Sequence, residues 1–211
     1  MRNLVKHARH RTMAGVGRLV RRLAHDKGGM AAVEFAMIVP MMFFLLVGAV
    51  EFSQALTVDR RVTQAASSTA DLIARAPSQG LSVSQVDSEL RIIEQLIEPY
   101  ELTQLTVKIV SVKANAVAGN PAALNYVVDW SRDNRGGTPY ARNATYNGIP
   151  AGLLVAGESV IVAEASYNYT PLIFKVFIES AFDLSEKFYL KPRNASCVHL
   201  QPVNCVTGGS I

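Results

Sequence analysis

Hydrophobic residues follow three patterns along the chain: one continuous run, one helical repeat and several alternating stretches. The continuous run extends from Met30 to Val50 and contains a single charged residue, Glu34. At a rise of about 1.5 Å per residue, a helix of this length covers the roughly 30 Å of a bilayer core. The pattern therefore predicts a transmembrane helix, to which we assign residues 30–52.

The same helix is expected to continue beyond the membrane. The segment Glu51 to Arg75 contains neither proline nor glycine, and its small and aliphatic residues suit one packed stripe. A proline two residues later ends the helical pattern. We therefore predict one helix over Met30–Ala76, in which residues 53–76 extend outside the membrane. A kink is expected at Pro40, where a backbone hydrogen bond is lost.

The remaining residues, 77–211, predict one α+β domain. Val83 to Ile97 has hydrophobic residues at helical spacing, with a capping-box pattern at Ser84 and Asp87 near its start. After Pro99 the hydrophobic period falls to about two, which is typical of strands. A small antiparallel sheet of about four strands is predicted, over Thr106–Val112, Leu124–Arg132, Ser159–Tyr169 and Lys187–Arg193.

The structure of one apolar segment of this domain is ambiguous from the sequence. Leu172–Phe182 lies between the third and fourth predicted strands, and its apolar residues suit a short helix that packs on the sheet. Two helices followed by a small antiparallel sheet give the α+β class in either case.

The formal net charge of +4 indicates the orientation of the chain in the membrane rather than nucleic-acid binding. Eight Lys and Arg residues lie in residues 1–29, against one acidic residue, Asp26. By the positive-inside rule this basic leader stays in the cytoplasm, and the chain after the span crosses the membrane. An Arg-rich leader also fits a mitochondrial presequence, but a matrix protein would not need the long span.

The N-terminal edge of the span has an unusual pattern. The basic leader ends at Gly29, and Glu34 lies five residues further on, inside the apolar run. This combination resembles the cleavage site of type IV prepilins, which a membrane-embedded aspartyl peptidase cuts after the glycine. The resemblance implies that Met30 becomes the N-terminus, and that Glu34, followed by Phe35, is the fifth residue of the mature chain. Major pilins commonly begin with Phe, so Met30 is a departure.

The stretch Ala31–Ala36 followed by Pro40 is more specifically similar to the TadE/TadG-like proteins of tight-adherence pilus systems. Gly157–Pro171 resembles the strand that ends in an aromatic residue and a proline in that family, and Phe188–Arg193 resembles its closing strand. The family implies a pilin-like domain and a minor-pilin or pseudopilin role in pilus assembly, adhesion and biofilm formation. It also implies a bacterial inner-membrane location with a periplasmic C-terminal domain. The implied partners are a prepilin peptidase, other pilins or pseudopilins and the assembly machinery.

A second hypothesis remains open for the same features. A signal anchor can be uncleaved, and a glutamate near the end of a span can reach the lipid interface. The chain would then be a membrane-tethered periplasmic binding or sensor domain, with Glu51–Arg75 as a stalk. An enzyme is not predicted, because the chain has no Gly-x-Ser-x-Gly, His-Glu-x-x-His or calcium-loop motif.

The two cysteines, Cys197 and Cys205, are expected to form a disulfide, because the compartment beyond the membrane is oxidising. Two free thiols are the alternative. With His199 the pair supplies at most three zinc ligands, and no fourth is suggested nearby. The sequence therefore predicts no metal and no cofactor.

Overall fold

The computed structural model describes residues 29–117, 119–171 and 181–205. The chain divides into two compact units, Met1–Val50 and Glu51–Ile211. The leader up to residue 28 and most of the ambiguous apolar segment, residues 172–180, lie outside the described residues. A long apolar helix, a second helix and a four-stranded antiparallel sheet confirm the α+β class.

Helix α1, Met30–Ala74, begins at the first residue of the apolar run and stops two residues before the predicted end. Its final turn is closed by hydrogen bonds from the backbone N–H of Arg75 to the carbonyls of Asp71 and Leu72. The part of α1 in the second unit buries a stripe of small and β-branched side chains, most of which belong to the core that α1 shares with the sheet. The stripe consists of Val58, Val62, Ala65, Ala66, Ala70 and Ile73.

Helix α2, Val83–Glu94, has a different cap from the predicted one. The expected capping box at Ser84 and Asp87 is wrong. Ser82 is the N-cap: its hydroxyl accepts a hydrogen bond from the N–H of Gln85, and the Gln85 side chain accepts one from the N–H of Ser82. The last turn, Gln95–Ile97, is a 3-10 helix that precedes Pro99.

The sheet contains β2 (Leu105–Val117), β3 (Asn120–Asp133), β4 (Ser159–Tyr169) and β5 (Phe182–Leu190) in the order β3-β2-β4-β5. All neighbouring pairs are antiparallel. The predicted bounds of β4 are confirmed, whereas β5 starts five residues earlier than predicted and ends three residues earlier. Its early end precedes Pro192, which has no N–H to donate to a neighbouring strand.

Both faces of this sheet are covered. One face packs against α1 and α2, with Ile109, Ile161 and Ala163 in the shared core. The other face is covered by the long connection between β3 and β4, which contributes Tyr146 and Leu154 to a second core. Alternate residues of each central strand are therefore buried on opposite sides, which explains why β2 and β4 are more hydrophobic than a half-exposed strand.

A two-residue parallel pairing ties the C-terminal tail to the turn after α1. Strand β1, Leu81–Ser82, pairs with β6, Leu200–Gln201. The N–H of Leu81 also donates to the carbonyl of His199 at 2.9 Å. Gly80 sits under this contact with φ +83°, and a Cβ there would lie 2.5 Å from the His199 carbonyl oxygen.

Gly80→Ala is therefore expected to destabilise the second unit by about 2 kcal/mol or more, because it adds a clash to the cost of a left-handed alanine. Gly152→Ala is the matched control: Gly152 has φ +79°, but a Cβ there meets nothing within 4 Å. The control should lose only about 1 kcal/mol. Thermal unfolding of the detergent-extracted chain measures both. Equal losses of stability in the two variants would show that the His199 carbonyl does not contact this turn closely.

Candidate functional site

The predicted processing residues lie at the very start of α1. Gly29 immediately precedes the helix and Met30 is its first residue, and both are exposed. A Cβ on Gly29 would meet nothing within 4 Å, and the φ of Gly29 is outside the left-handed region. The fold itself therefore does not require glycine at this position.

Glu34 follows Met30 by four residues, so it lies one helical turn, about 6 Å, further along the axis. Residues 29–46 are all exposed, and the large side chains among them are apolar: Phe35 is 66% exposed and Met37 77%. An exposed apolar surface of this extent marks a site of contact with a membrane or a protein partner. Glu34 is the one ionisable group in this apolar stretch.

Among the described residues, α1 is the one helix long and apolar enough to cross a membrane. Its length and composition suggest a membrane anchor that leads into a soluble C-terminal unit. Pro40 lies inside this helix and cannot donate to the carbonyl of Ala36. The kink at Pro40 stays a prediction.

The other predicted site residues, Cys197 and Cys205, belong to the second unit. The structure joins them in a disulfide with a Cα–Cα distance of 6.5 Å. Between them, the carbonyl of Val198 accepts a hydrogen bond from the indole N–H of Trp130 at 2.7 Å. This part of the tail therefore lies against β3.

Sequence reasoning missed an ion pair that fastens α2 to the sheet. Arg132 on β3 donates two hydrogen bonds to the carboxylate of Asp87, at 2.7 and 2.8 Å. The hydrogen bond and charge of Arg132 hold the pKa of Asp87 below its usual value, against a smaller opposing effect of burial. The pair is therefore ionised at neutral pH. The sequence pattern places Asp87 in the helix cap, and no local signal links it to a residue 45 positions away.

A second missed cluster lies beneath the connection between β3 and β4. The carboxylate of Glu164 accepts hydrogen bonds from Tyr140 at 2.9 Å and Tyr146 at 2.7 Å, and pairs with Lys187 at 2.8 Å. Burial acts to raise the pKa of Glu164, but the three donors outweigh it and the pKa is lowered. Burial, with the neighbouring Glu164, raises the pKa of Tyr140 to about 12 and also raises that of Tyr146. This arrangement holds the loop on the sheet.

The second unit also contains an open cavity of about 250 Å³ between β3 and the tail. Its lining includes Trp130, Tyr140 and Arg142, and Arg142 lies 3.7 Å from the buried carboxylate of Asp129. Among the described residues, no histidine or cysteine lines this cavity. The cavity therefore brings aromatic side chains and one ion pair together.

Comparison with known proteins finds a match for the anchor segment. No curated protein and no solved structure matches the chain. The match is confined to residues 29–71. The two C-terminal resemblances, at Gly157–Pro171 and Phe188–Arg193, fall outside this range and stay predictions. The match covers the whole apolar run and most of the α1 segment that packs on the sheet. Residues 29–71 match the model of the family described as TadE-like protein, and the anchor segment of this chain is TadE-like.

Proposed function

We propose that this protein is an inner-membrane-anchored, minor-pilin or pseudopilin-like component of tight-adherence pilus assembly. The observation that carries the proposal is that the TadE-like match begins at Gly29 and covers the anchor. The residues from Gly29 to Phe35 are exposed at the start of a helix with a free apolar surface. A TadE-like segment supports a role in pilus assembly.

Processing would remove the leader and keep the anchor. A prepilin peptidase would hydrolyse the bond between Gly29 and Met30, leaving a carboxylate on Gly29 and an amine on Met30. The eight Lys and Arg residues of the leader would leave with it. The mature chain would remain in the membrane, because the apolar run starts at the new N-terminus.

Glu34 would then set the register between neighbouring subunits. A carboxylate in lipid is costly unless it is paired, and the new amine of a partner's Met30 is a suitable counter-ion. Apolar faces of adjacent anchors would pack around this contact. The pairing favours one relative depth of the two helices, because other depths leave both charges unpaired.

The alternative, a tethered binding or sensor domain, is favoured by one observation, the cavity lined by Trp130, Tyr140 and Arg142. The alternative also requires a free stalk, and the buried residues of α1 do not fit that requirement. A free stalk should expose most of its side chains, whereas Val62, Ala66 and Ala70 of α1 are fully buried in the core of the second unit.

The orientation of the chain across the membrane is the first consequence of the proposal that can be measured. Reporter fusions after Gly119, in the turn between β2 and β3, should be active only with a reporter that works in the periplasm, because the basic leader stays inside. A fusion after residue 25, before the span, should be active only with a cytoplasmic reporter. Cytoplasmic-type activity after Gly119 would contradict the proposed orientation.

The pilus role itself is tested by deleting the gene and counting surface pili. The deletion strain should lose pili, and the full chain supplied in trans should restore them. Replacing Arg142 with Ala changes the cavity and leaves the anchor intact, so this variant should also restore pili. Normal piliation in the deletion strain would contradict the proposal and favour the sensor alternative.

A further inference from the structure

The C-terminal tail brings three metal-binding side chains together. Among the described residues, the ligand atoms of Cys197, His199 and Cys205 all lie within 4.8 Å of one another. Cys197 is buried, and the other two are partly exposed. We propose that reduction of the disulfide turns this cluster into a binding site for a zinc-class divalent ion.

A tetrahedral site is within reach of these three side chains once the disulfide is reduced. Zinc binds thiolate sulfur at about 2.3 Å and imidazole nitrogen at about 2.0–2.1 Å, which places neighbouring ligand atoms about 3.5–4 Å apart. In the disulfide the two sulfurs are bonded to each other at about 2 Å, so after reduction they must move about 1.5–2 Å apart. The imidazole already lies within 4.8 Å of both sulfurs. Three protein ligands leave the fourth position to water, as in open zinc sites.

Hydrogen bonds hold the three residues near one another without the sulfur–sulfur bond. The N–H of Cys205 donates to Nδ1 of His199 at 3.0 Å, which holds the imidazole beside Cys205 while no ion is bound. Binding of the ion must break this hydrogen bond, because an Nδ1 that accepts an N–H has no lone pair for a metal, and Nε2 then carries the ring proton. The carbonyl of His199 accepts from Leu81 at 2.9 Å, and the carbonyl of Val198 accepts from Trp130 at 2.7 Å. The tail should therefore stay docked after reduction.

The ion and the disulfide exclude each other. Reduction adds two electrons and two protons to the disulfide and gives two thiols, while the reductant, a phosphine or a dithiol, is oxidised. Binding of the ion then releases the two thiol protons, because the ligands are thiolates. The site therefore exists only in the reduced chain, before the cysteines are oxidised. This inference does not depend on the pilus role.

The test uses the full chain in detergent, reduced with a phosphine that is then removed without oxygen. Titration with Co²⁺ should give one ion per chain with a thiolate-to-cobalt absorption band, and Zn²⁺ should displace it. The oxidised chain should give no band. Cys205→Ser should bind at least about tenfold more weakly. His199→Asn keeps an oxygen that can accept the N–H of Cys205, and it should also weaken binding at least about tenfold.

The tail's position is checked in each sample by the fluorescence of Trp130, the one tryptophan of the chain. It should be the same in the oxidised and the reduced, metal-loaded chain. The proposal is overturned if the reduced wild-type chain binds Co²⁺ no more tightly than Cys205→Ser. Equal affinity of His199→Asn and wild type would overturn the role of His199 as a ligand.

Discussion

Gly29→Phe is expected to abolish removal of the leader, leaving the full-length chain in membranes that contain the peptidase. A peptidase at the membrane edge must bring the scissile backbone close to its catalytic groups, and glycine presents no Cβ to that approach. Gly29→Ala should give a partial block, because the obstruction grows with the side chain. The processed fraction, read by immunoblot or intact mass, measures the effect.

The structure separates an effect on the peptidase from an effect on the fold of the chain. A Cβ on Gly29 meets nothing within 4 Å, so the substitution does not strain the chain itself. Met30→Phe is the matched control: it adds the same ring one residue later, on the other side of the bond, at a side chain that is 60% exposed. This variant should be processed normally. Normal processing of Gly29→Phe would remove the basis for cleavage after this glycine.

Glu34→Ala is expected to leave cleavage intact and to reduce assembly. The substitution removes the carboxylate that is proposed to pair with a neighbouring N-terminus, and Glu34 is the fifth residue after the scissile bond. A hydrogen-bonded polar contact in lipid contributes about 1 kcal/mol, or about fivefold in an association constant. Pili sheared from the cell surface should fall by at least that factor, while intact mass shows a normal N-terminus.

Two further variants separate charge from shape. Glu34→Gln keeps the size and loses the charge, so it should fall between wild type and Glu34→Ala. Met37→Ala truncates a side chain that is 77% exposed in the same apolar run, and it should assemble normally. If Glu34→Ala and Met37→Ala assemble equally well, the register role of Glu34 is wrong.

Hydrophobic spacing was enough to predict the main elements of this fold. The uninterrupted apolar run predicted the first part of α1, and the alternation around Ile161 predicted β4 with its observed bounds. These signals are local, since they depend on residues that are neighbours along one helix or strand. The bend at Pro40 is also a local prediction, and the TadE-like match covers the region that contains it.

The features that were missed depend on distant residues. Both Ser82 with Gln85 and Ser84 with Asp87 fit a capping pattern, so sequence could not choose between them. The pairing of Leu81 with Leu200 makes Ser82 extended, and Asp87 is then available to Arg132. A contact across 119 positions selects the local structure here.

The polar contacts of the second unit show the same limit. From the alternating pattern of its strand, Glu164 is expected to be a charged residue facing solvent. Instead, the loop that contains Tyr140 and Tyr146 folds over it, and both hydroxyls donate to its carboxylate. Nothing in the loop sequence gives its path over the sheet. The candidate site at the start of α1 stays a prediction, and it differs in depending on local sequence alone: Gly29, Met30 and Glu34 are close in sequence and lie at one helix end.

The account depends most directly on where the mature chain begins. The measurement is the intact mass and N-terminal sequence of the membrane-extracted protein, from cells with and without the prepilin peptidase. We expect Met30 as the first residue when the peptidase is present, and Met1 when it is absent, with the protein in the membrane fraction in both cases. A chain that begins at Met1, or anywhere other than Met30, in peptidase-containing cells would contradict prepilin-type processing.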